Sequence, residues 1–206
     1  MKHGHRKIYL ASKSLRRREL LQQIGIDFVL LRLREQEPRG PDVTELVLPG
    51  EHAHDYVARV TREKAACACQ VMLARKLPIY PILAADTTVA IDDAILGKPA
   101  SPAEAAGMLA ALSGCTHQVL TSVVVQHDEQ IWQVTQSSDV LFDNLSKQTI
   151  DAYCASSEPY DKAGGYGIQG TAASFIKHIS GSYTGIMGLP LFETAQLLRQ
   201  AGLRIL

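Results

Sequence analysis

The chain has 206 residues, 46% of them hydrophobic, with 21 basic and 21 acidic side chains and a formal net charge of zero. That balance argues against nucleic acid or a membrane surface as a partner, and no apolar run is long enough to span a bilayer. The size supports one large domain, or two lobes sharing a cleft.

The basic start, Met1 to Lys7, lacks a following signal-peptide core, and residues 1–6 read as a short flexible arm. A strand is predicted over 7–11, then a helix over 14–24 that stops at Gly25. Between them lie Ser12 and Ser14, and the helix opens on Arg16, Arg17 and Arg18. Helix N-termini carry partial positive charge, so three cations in a first turn oppose the usual preference. An anion on the helix end would remove the conflict, with backbone N–H groups, a hydroxyl and guanidiniums around a polyphosphate. A solvated basic face is the other reading. A second strand is predicted over 27–31, and Arg32 to Gly50 reads as loop.

A helix over 51–75 places Tyr56, Val57, Val60, Ala65 and Ala68 on one side, and the next strand runs from Ile79 to Ile91. That strand carries Asp86 between Ile-Leu-Ala-Ala and Thr-Thr-Val-Ala-Ile. A buried carboxylate is costly unless it is paired or binds a metal; the alternative is a solvated carboxylate at a turn or strand end. Asp92-Asp93 turns towards Ile95 and Leu96, and Lys98 sits between Gly97 and Pro99. A helix over 102–112 begins with Ser101 as cap and Pro102 at its first position. Strands over 117–126 and 130–142 form a hairpin, followed by a helix over 146–156. Asp161 to Gly170 holds four glycines bracketed by Lys162 and Gln169, either a close approach for a ligand or an ordinary turn. No Gly-Lys-Ser/Thr follows in register, so it is not a Walker loop. A strand over 174–179, a loop from Gly181 to Gly188 and a last helix over 190–201 complete an α/β pattern with a partly antiparallel sheet.

Taken singly, Asp42-Val-Thr-Glu45 and Arg62-Glu-Lys64 look like surface charge. The histidines show no metal-ligand spacing; His117 and His178 lie in apolar strands and read as structural. Cys67, Cys69, Cys115 and Cys154 lack paired metal spacing and suit reduced thiols in a cytoplasmic protein. No Gly-x-Ser-x-Gly context surrounds Ser12 or Ser14, which argues against a serine nucleophile.

From about Ile8 to Leu198 these segments together resemble the Maf family of nucleoside triphosphate pyrophosphatases. Leu10-Ala-Ser-Lys-Ser-Leu-Arg-Arg-Arg-Glu-Leu-Leu21 is similar to the family's Ser-x-Ser-Pro-Arg-Arg-x-Glu-Leu-Leu signature. Asp42-Val-Thr-Glu45, Ala85-Asp-Thr87, Gly97-Lys-Pro99, Leu112-Ser-Gly-x-x-His-Gln-Val119, Asp161-Lys-Ala-Gly164, Tyr166-Gly-Ile-Gln-Gly170 and Gly188-Leu-Pro190 follow in the family's order. Two departures stand out. Leu15 occupies the usual Pro position, which frees φ there, and the stretch from Arg32 to Gly40 looks like a short insertion at the cleft rim.

The resemblance implies a single Maf-like domain over 1–206. Its fold would be a mixed, partly antiparallel twisted sheet with flanking helices and two lobes around a central cleft, as in the Maf and inosine triphosphatase proteins. It also implies hydrolysis of a nucleoside triphosphate between the α and β phosphates. Asp86 would be the general base, and Glu45 and Asp86 would anchor a divalent cation, Mg²⁺ or Mn²⁺. Ser12, Ser14, Arg16, Arg17, Lys64, Lys98 and Lys162 would bind phosphate. Arg16, Thr87 and Gln169 form a trio that resembles the subgroup acting on dTTP and UTP; the 7-methyl-GTP subgroup carries Trp and Gln at the Arg16 and Thr87 positions. The family further suggests a homodimer. Its link to septum formation supplies an alternative, a nucleotide-sensing regulator of division whose hydrolysis is incidental.

Overall fold

The computed structural model describes residues 7–33, 42–92 and 94–205. The predicted arm, over 1–6, and most of the insertion, over 34–40, lie outside them. Seven strands form one sheet: β1 (Lys7–Leu10), β2 (Asp27–Leu30), β3 (Ile82–Ile91), β4 (Ala94–Leu96), β5 (Thr116–His127), β6 (Gln130–Phe142) and β7 (Ile176–Ser180). Their order is β2-β1-β3-β5-β6-β7, with β4 paired to β3. β1 runs parallel to β2 and β3, and every other pairing is antiparallel. The helices are α1 (Leu15–Gln23), α2 (Ala53–Ala74), α3 (Pro102–Leu112), α4 (Lys147–Cys154), α5 (Tyr183–Ile186) and α6 (Leu191–Gln200).

Local sequence explains the boundaries. Ser14 caps α1 by accepting from the Arg17 N–H, and Ser101 caps α3 by accepting from Glu104. Gly25 follows α1 at φ 69°, a left-handed conformation that glycine adopts without Cβ strain. Leu15, in the family's Pro position, is the first residue of α1. An N–H there has no intrahelical acceptor in any case, so the helix still starts at the capped position. The short helix α5 falls inside the segment expected to be loop, because Ser182 caps it by accepting from the Gly185 N–H.

The pairing pattern of β3 opens the molecule. On one edge β3 pairs with β5 from Ile82 to Ala90. On the other edge it pairs with β1 only at Ile82 and Leu83, and with β4 only from Val89 to Ile91. Residues 84–88 therefore border a gap between β1 and β4, and Asp86 and Thr87 lie in it.

Strand alternation then assigns faces. Leu83 and Ala85 pack with Leu20 and Leu21 of α1 and Leu198 of α6. Ile82 and Ala84 pack with Ala65 and Ala68 of α2 on the opposite face. Asp86 continues the α2-facing set and Thr87 the α1-facing set. The far end of the sheet is covered by α3, α4 and an aromatic cluster of His117, Phe142, Tyr153, Tyr166 and Phe175.

His117 is 1% exposed and its Nε2 lies 2.7 Å from the Tyr166 hydroxyl, the structural role expected for it. Burial pushes its pKa down to about 4, against a smaller opposing influence of the Cys115 backbone. The ordinary value is 6.5, so between pH 6.5 and 4 protons bind the unfolded chain more readily than the folded one. This stabilisation is full above about pH 6.5 and falls as the pH drops towards 4. Between pH 7.5 and 5 the loss amounts to about 2 kcal/mol. Urea unfolding of the wild type and His117→Gln at both pH values is expected to show a shallower pH dependence in the variant; parallel curves would contradict the assignment.

Candidate active site

Every residue that the sequence singled out for chemistry lines one cleft of about 740 Å³ along that gap: Ser12, Ser14, Arg16, Arg17, Glu45, Lys64, Asp86, Thr87, Lys98, Lys162 and Gln169. The volume suits a small-molecule site.

Asp86 and Lys64 form its centre. Lys64 belongs to the buried stripe of α2, one turn from Val60 and Thr61 and next to Ala65. Its side chain is only 16% exposed and that of Asp86 13%, so neither is a solvated surface charge. The Lys64 Nζ donates to Asp86 Oδ1 at 2.6 Å and lies 2.7 Å from Glu45 Oε1. One ammonium thus joins two carboxylates from separate segments. Partial burial acts to raise the Glu45 pKa, but Lys64, with Lys98 and Arg17 behind it, outweighs burial and holds the carboxyl below its usual value. Taken singly, Lys64 read as surface charge, and this packing corrects that; Glu45 is half exposed but paired. Each was read as an isolated charge because the partner stands far off in sequence.

The α1-facing side of β3 holds the arginine. Arg17 Nε donates to the Gly188 carbonyl at 2.7 Å, one terminal nitrogen to Ser12 Oγ at 3.2 Å and the other to Thr87 Oγ1 at 3.0 Å. Burial lowers its pKa, opposed chiefly by the charge of Asp86. Behind Thr87, Thr121 Oγ1 stands 2.9 Å away and donates to the Gly185 carbonyl at 2.8 Å. That uses the only proton of Thr121, so Thr87 must donate to Thr121 while accepting from Arg17. The Thr87 proton is thus committed to Thr121, and one of its lone pairs to the guanidinium. Thr121 was not singled out from the sequence, where it is one polar residue in an apolar strand. Its register opposite Thr87 is what gives it a role.

Ser12 accepts from the Ser14 N–H and from Arg17, and Ser14 accepts from the Arg17 N–H. Among the described residues neither hydroxyl proton has an acceptor, so both can donate to a ligand. Arg16 lies 3.6 Å from Asp161 and is 31% exposed at the cleft mouth. The remaining arginine of the run, Arg18, turns away and donates to the Lys13 carbonyl.

The glycine-rich segment closes the opposite wall. Gly164 has φ 69°, and its N–H donates to the Gly97 carbonyl beside Lys98. A Cβ there would stand 3.0 Å from the Val89 side chain, so glycine serves both conformation and close approach. Lys162 donates to the Glu158 carbonyl at 2.7 Å and contacts the Asp161 carboxylate. The Glu158 carboxylate accepts from Tyr153 OH at 3.1 Å and Thr171 N at 2.9 Å, clasping the end of the loop that carries Gln169. Its placement requires Gly170, where a Cβ would come within 2.0 Å of Oε1. The sequence offered only one hint of this, an acid just before Pro159. Gln169 is exposed in the cleft with its amide available.

The donor set fits a hard divalent cation. Two carboxylates converge on a point that an ammonium now shares, which marks it as a place for positive charge. Mg²⁺ is bound by one or two carboxylates, with waters and substrate oxygens completing its shell. Among the described residues no group of three or more His, Cys, Asp or Glu could hold a metal ion without such help.

The cleft of this α/β protein thus brings together Arg16, Arg17, Lys64, Lys98 and Lys162, two serine hydroxyls and two converging carboxylates. The chain belongs to the Maf family: the family model for Maf-like protein matches residues 7–201. Among its relatives, the dTTP/UTP pyrophosphatase of Nitrosospira multiformis is 52% identical over 97% of this chain and 96% of the relative. That of Bordetella avium is 50% identical over 97% of both. The solved structure of the Staphylococcus aureus Ham1 protein overlaps 66% of this chain and 71% of its own at 13% identity and a TM-score of 0.40, too distant to add to the assignment.

Proposed function

We propose that this chain is a nucleoside triphosphate pyrophosphatase that hydrolyses dTTP and UTP to the monophosphate and pyrophosphate. The observation that carries this reading is the Glu45–Lys64–Asp86 cluster set within reach of the arginine-bearing end of α1. Near-full-length relatives at about half identity bearing that activity in their names support it.

Asp86 is the general base, rigid on β3 and partly shielded from bulk water. Glu45 and Asp86 would hold the cation, which would supply neutralisation of phosphate charge and polarisation of water. Arg17 is held in a fixed orientation by Ser12, Thr87 and Gly188, so little reorganisation is needed as charge develops on the phosphate oxygens. Arg16, Lys64, Lys98 and Lys162 add cationic contacts, and Ser12 and Ser14 donate through their free protons. Gln169, with both a donor and an acceptor, reads the base edge. Thr87 acts on selectivity through the Arg17 it supports, since its proton is already engaged with Thr121. Among the described residues none of the cysteines is disulfide-bonded, which suits work in the cytoplasm. Among the described residues no helix is long and apolar enough to cross a membrane.

Pyrophosphate release from dTTP, UTP, CTP, dATP, GTP and 7-methyl-GTP tests the substrate class. Release concentrated on dTTP and UTP supports the reading, and equal rates across the panel contradict it. Gln169→Ala is expected to narrow the preference for dTTP over dATP about tenfold, the worth of one lost base contact, with a smaller fall in the dTTP rate. Unchanged relative rates would rule out Gln169 as a base reader.

A further inference from the structure

The Asp86 carboxylate is fixed by a central strand, but Glu45 is not: residues 44–48 belong to no helix or strand. The Glu45 side chain is 48% exposed and pairs with Lys64, and the three residues after it, Leu46, Val47 and Leu48, are exposed apolar side chains. Within the segment the Leu46 N–H donates to Thr44 Oγ1 at 3.4 Å, a long local contact that does not touch the Glu45 side chain.

The restraint comes from α2 and the turn before it. Tyr56 OH donates to the Glu45 carbonyl at 3.0 Å. Arg59 donates to the Leu46 carbonyl at 2.9 Å. The Leu48 N–H donates to Glu51 Oε2 at 3.0 Å. Arg59 and Glu51 are themselves locked in a two-pronged pair, Nε to Oε1 at 2.6 Å and a terminal nitrogen to Oε2 at 2.9 Å, and Glu63 takes the other terminal nitrogen at 3.1 Å. The Arg59 and Glu51 side chains are 19% and 9% exposed on an otherwise wet surface. All the donors of this guanidinium that the pattern needs are directed by a planar fork, which an ammonium cannot reproduce.

We propose that Arg59, together with Glu51, is a positioning residue for the divalent cation: it straps the 45–48 segment to α2 and so sets Glu45 opposite Asp86. This rests on Glu45 being a cation ligand, as proposed above. The strap acts from outside the cleft, since neither Arg59 nor Glu51 lines it. Supporting groups one shell out from a metal typically change affinity by 10- to 100-fold when removed.

Mn²⁺ titration, with free ion read by electron paramagnetic resonance, tests this on the full chain. Arg59→Lys preserves the charge and hence the general field, but loses the fork. Its Mn²⁺ dissociation constant is expected to rise about tenfold, with no further rise when it is added to Glu45→Gln, because a residue acting through Glu45 has nothing left to position. Glu51→Gln keeps one acceptor oxygen but turns an NH₂ donor towards one Arg59 nitrogen, so it breaks the two-pronged pair from the other side; its dissociation constant is expected to rise in the same direction, and it serves if Arg59→Lys does not fold. Thermal unfolding confirms that each variant is folded at the titration temperature. Unchanged affinity in Arg59→Lys, with weakened affinity in Glu45→Gln, overturns the strap and leaves Glu45 as a ligand. An equal further loss in the Glu45→Gln background also overturns it, by showing that Arg59 acts elsewhere. Unchanged affinity in Glu45→Gln overturns both assignments.

Discussion

Asp86→Asn is expected to lower kcat by about 10³-fold while nucleotide still binds. The substitution keeps the shape of the side chain in the β3 gap and removes its ability to accept a proton, a contribution of about 10² to 10⁴ in rate. It also takes one of two carboxylates from the cation site. The Lys64 ammonium keeps Glu45 at 2.7 Å, so it is not left as a lone partly buried charge, and the fold should survive. Steady-state pyrophosphate release at saturating dTTP, together with equilibrium binding of dTTP, separates chemistry from affinity. Turnover equal to that of the wild type would remove Asp86 from the mechanism.

Arg17→Lys is expected to lower kcat/KM about 100-fold and to destabilise the fold by about 2 kcal/mol. The exchange keeps the charge and loses the geometry. Arg17 serves Gly188, Ser12 and Thr87 from three nitrogens spread across a plane. A lysine reaching into the same space cannot satisfy all three, so at least one partly buried acceptor is left without a donor. The loss should extend beyond the phosphate contact, because Thr87 and Thr121 orient one another through the same chain of hydroxyls. Urea unfolding and the rate with dTTP read the two effects separately. A variant matching the wild type in both would contradict the buttressed geometry of Arg17.

Much of this arrangement was legible before the structure. The lone carboxylate of Asp86 inside an apolar run and the serines ahead of the arginines are local signals, and local rules carried them. Lys64 was not legible as a central residue. Its sequence neighbours, Arg62 and Glu63, are charged, and only the helical spacing from Val57 through Thr61 to Ala65 and Ala68 puts it on the inner face of α2. Thr121 and Arg59 were hidden for a different reason: each acts through a partner that only tertiary structure brings near, Gly185 in one case and the Leu46 carbonyl in the other. The cleft itself was also invisible locally. It exists because β1 and β4 pair with opposite ends of β3, a fact about topology that no window of sequence contains.

The most direct test of the central claim is to identify the products formed from dTTP and Mg²⁺ by ³¹P nuclear magnetic resonance. A site that opens the bond between the α and β phosphates gives dTMP and pyrophosphate in equal amounts, and Asp86→Asn gives neither at a comparable rate. Formation of dTDP and orthophosphate, or no turnover of any pyrimidine triphosphate by the wild-type chain, would contradict the account.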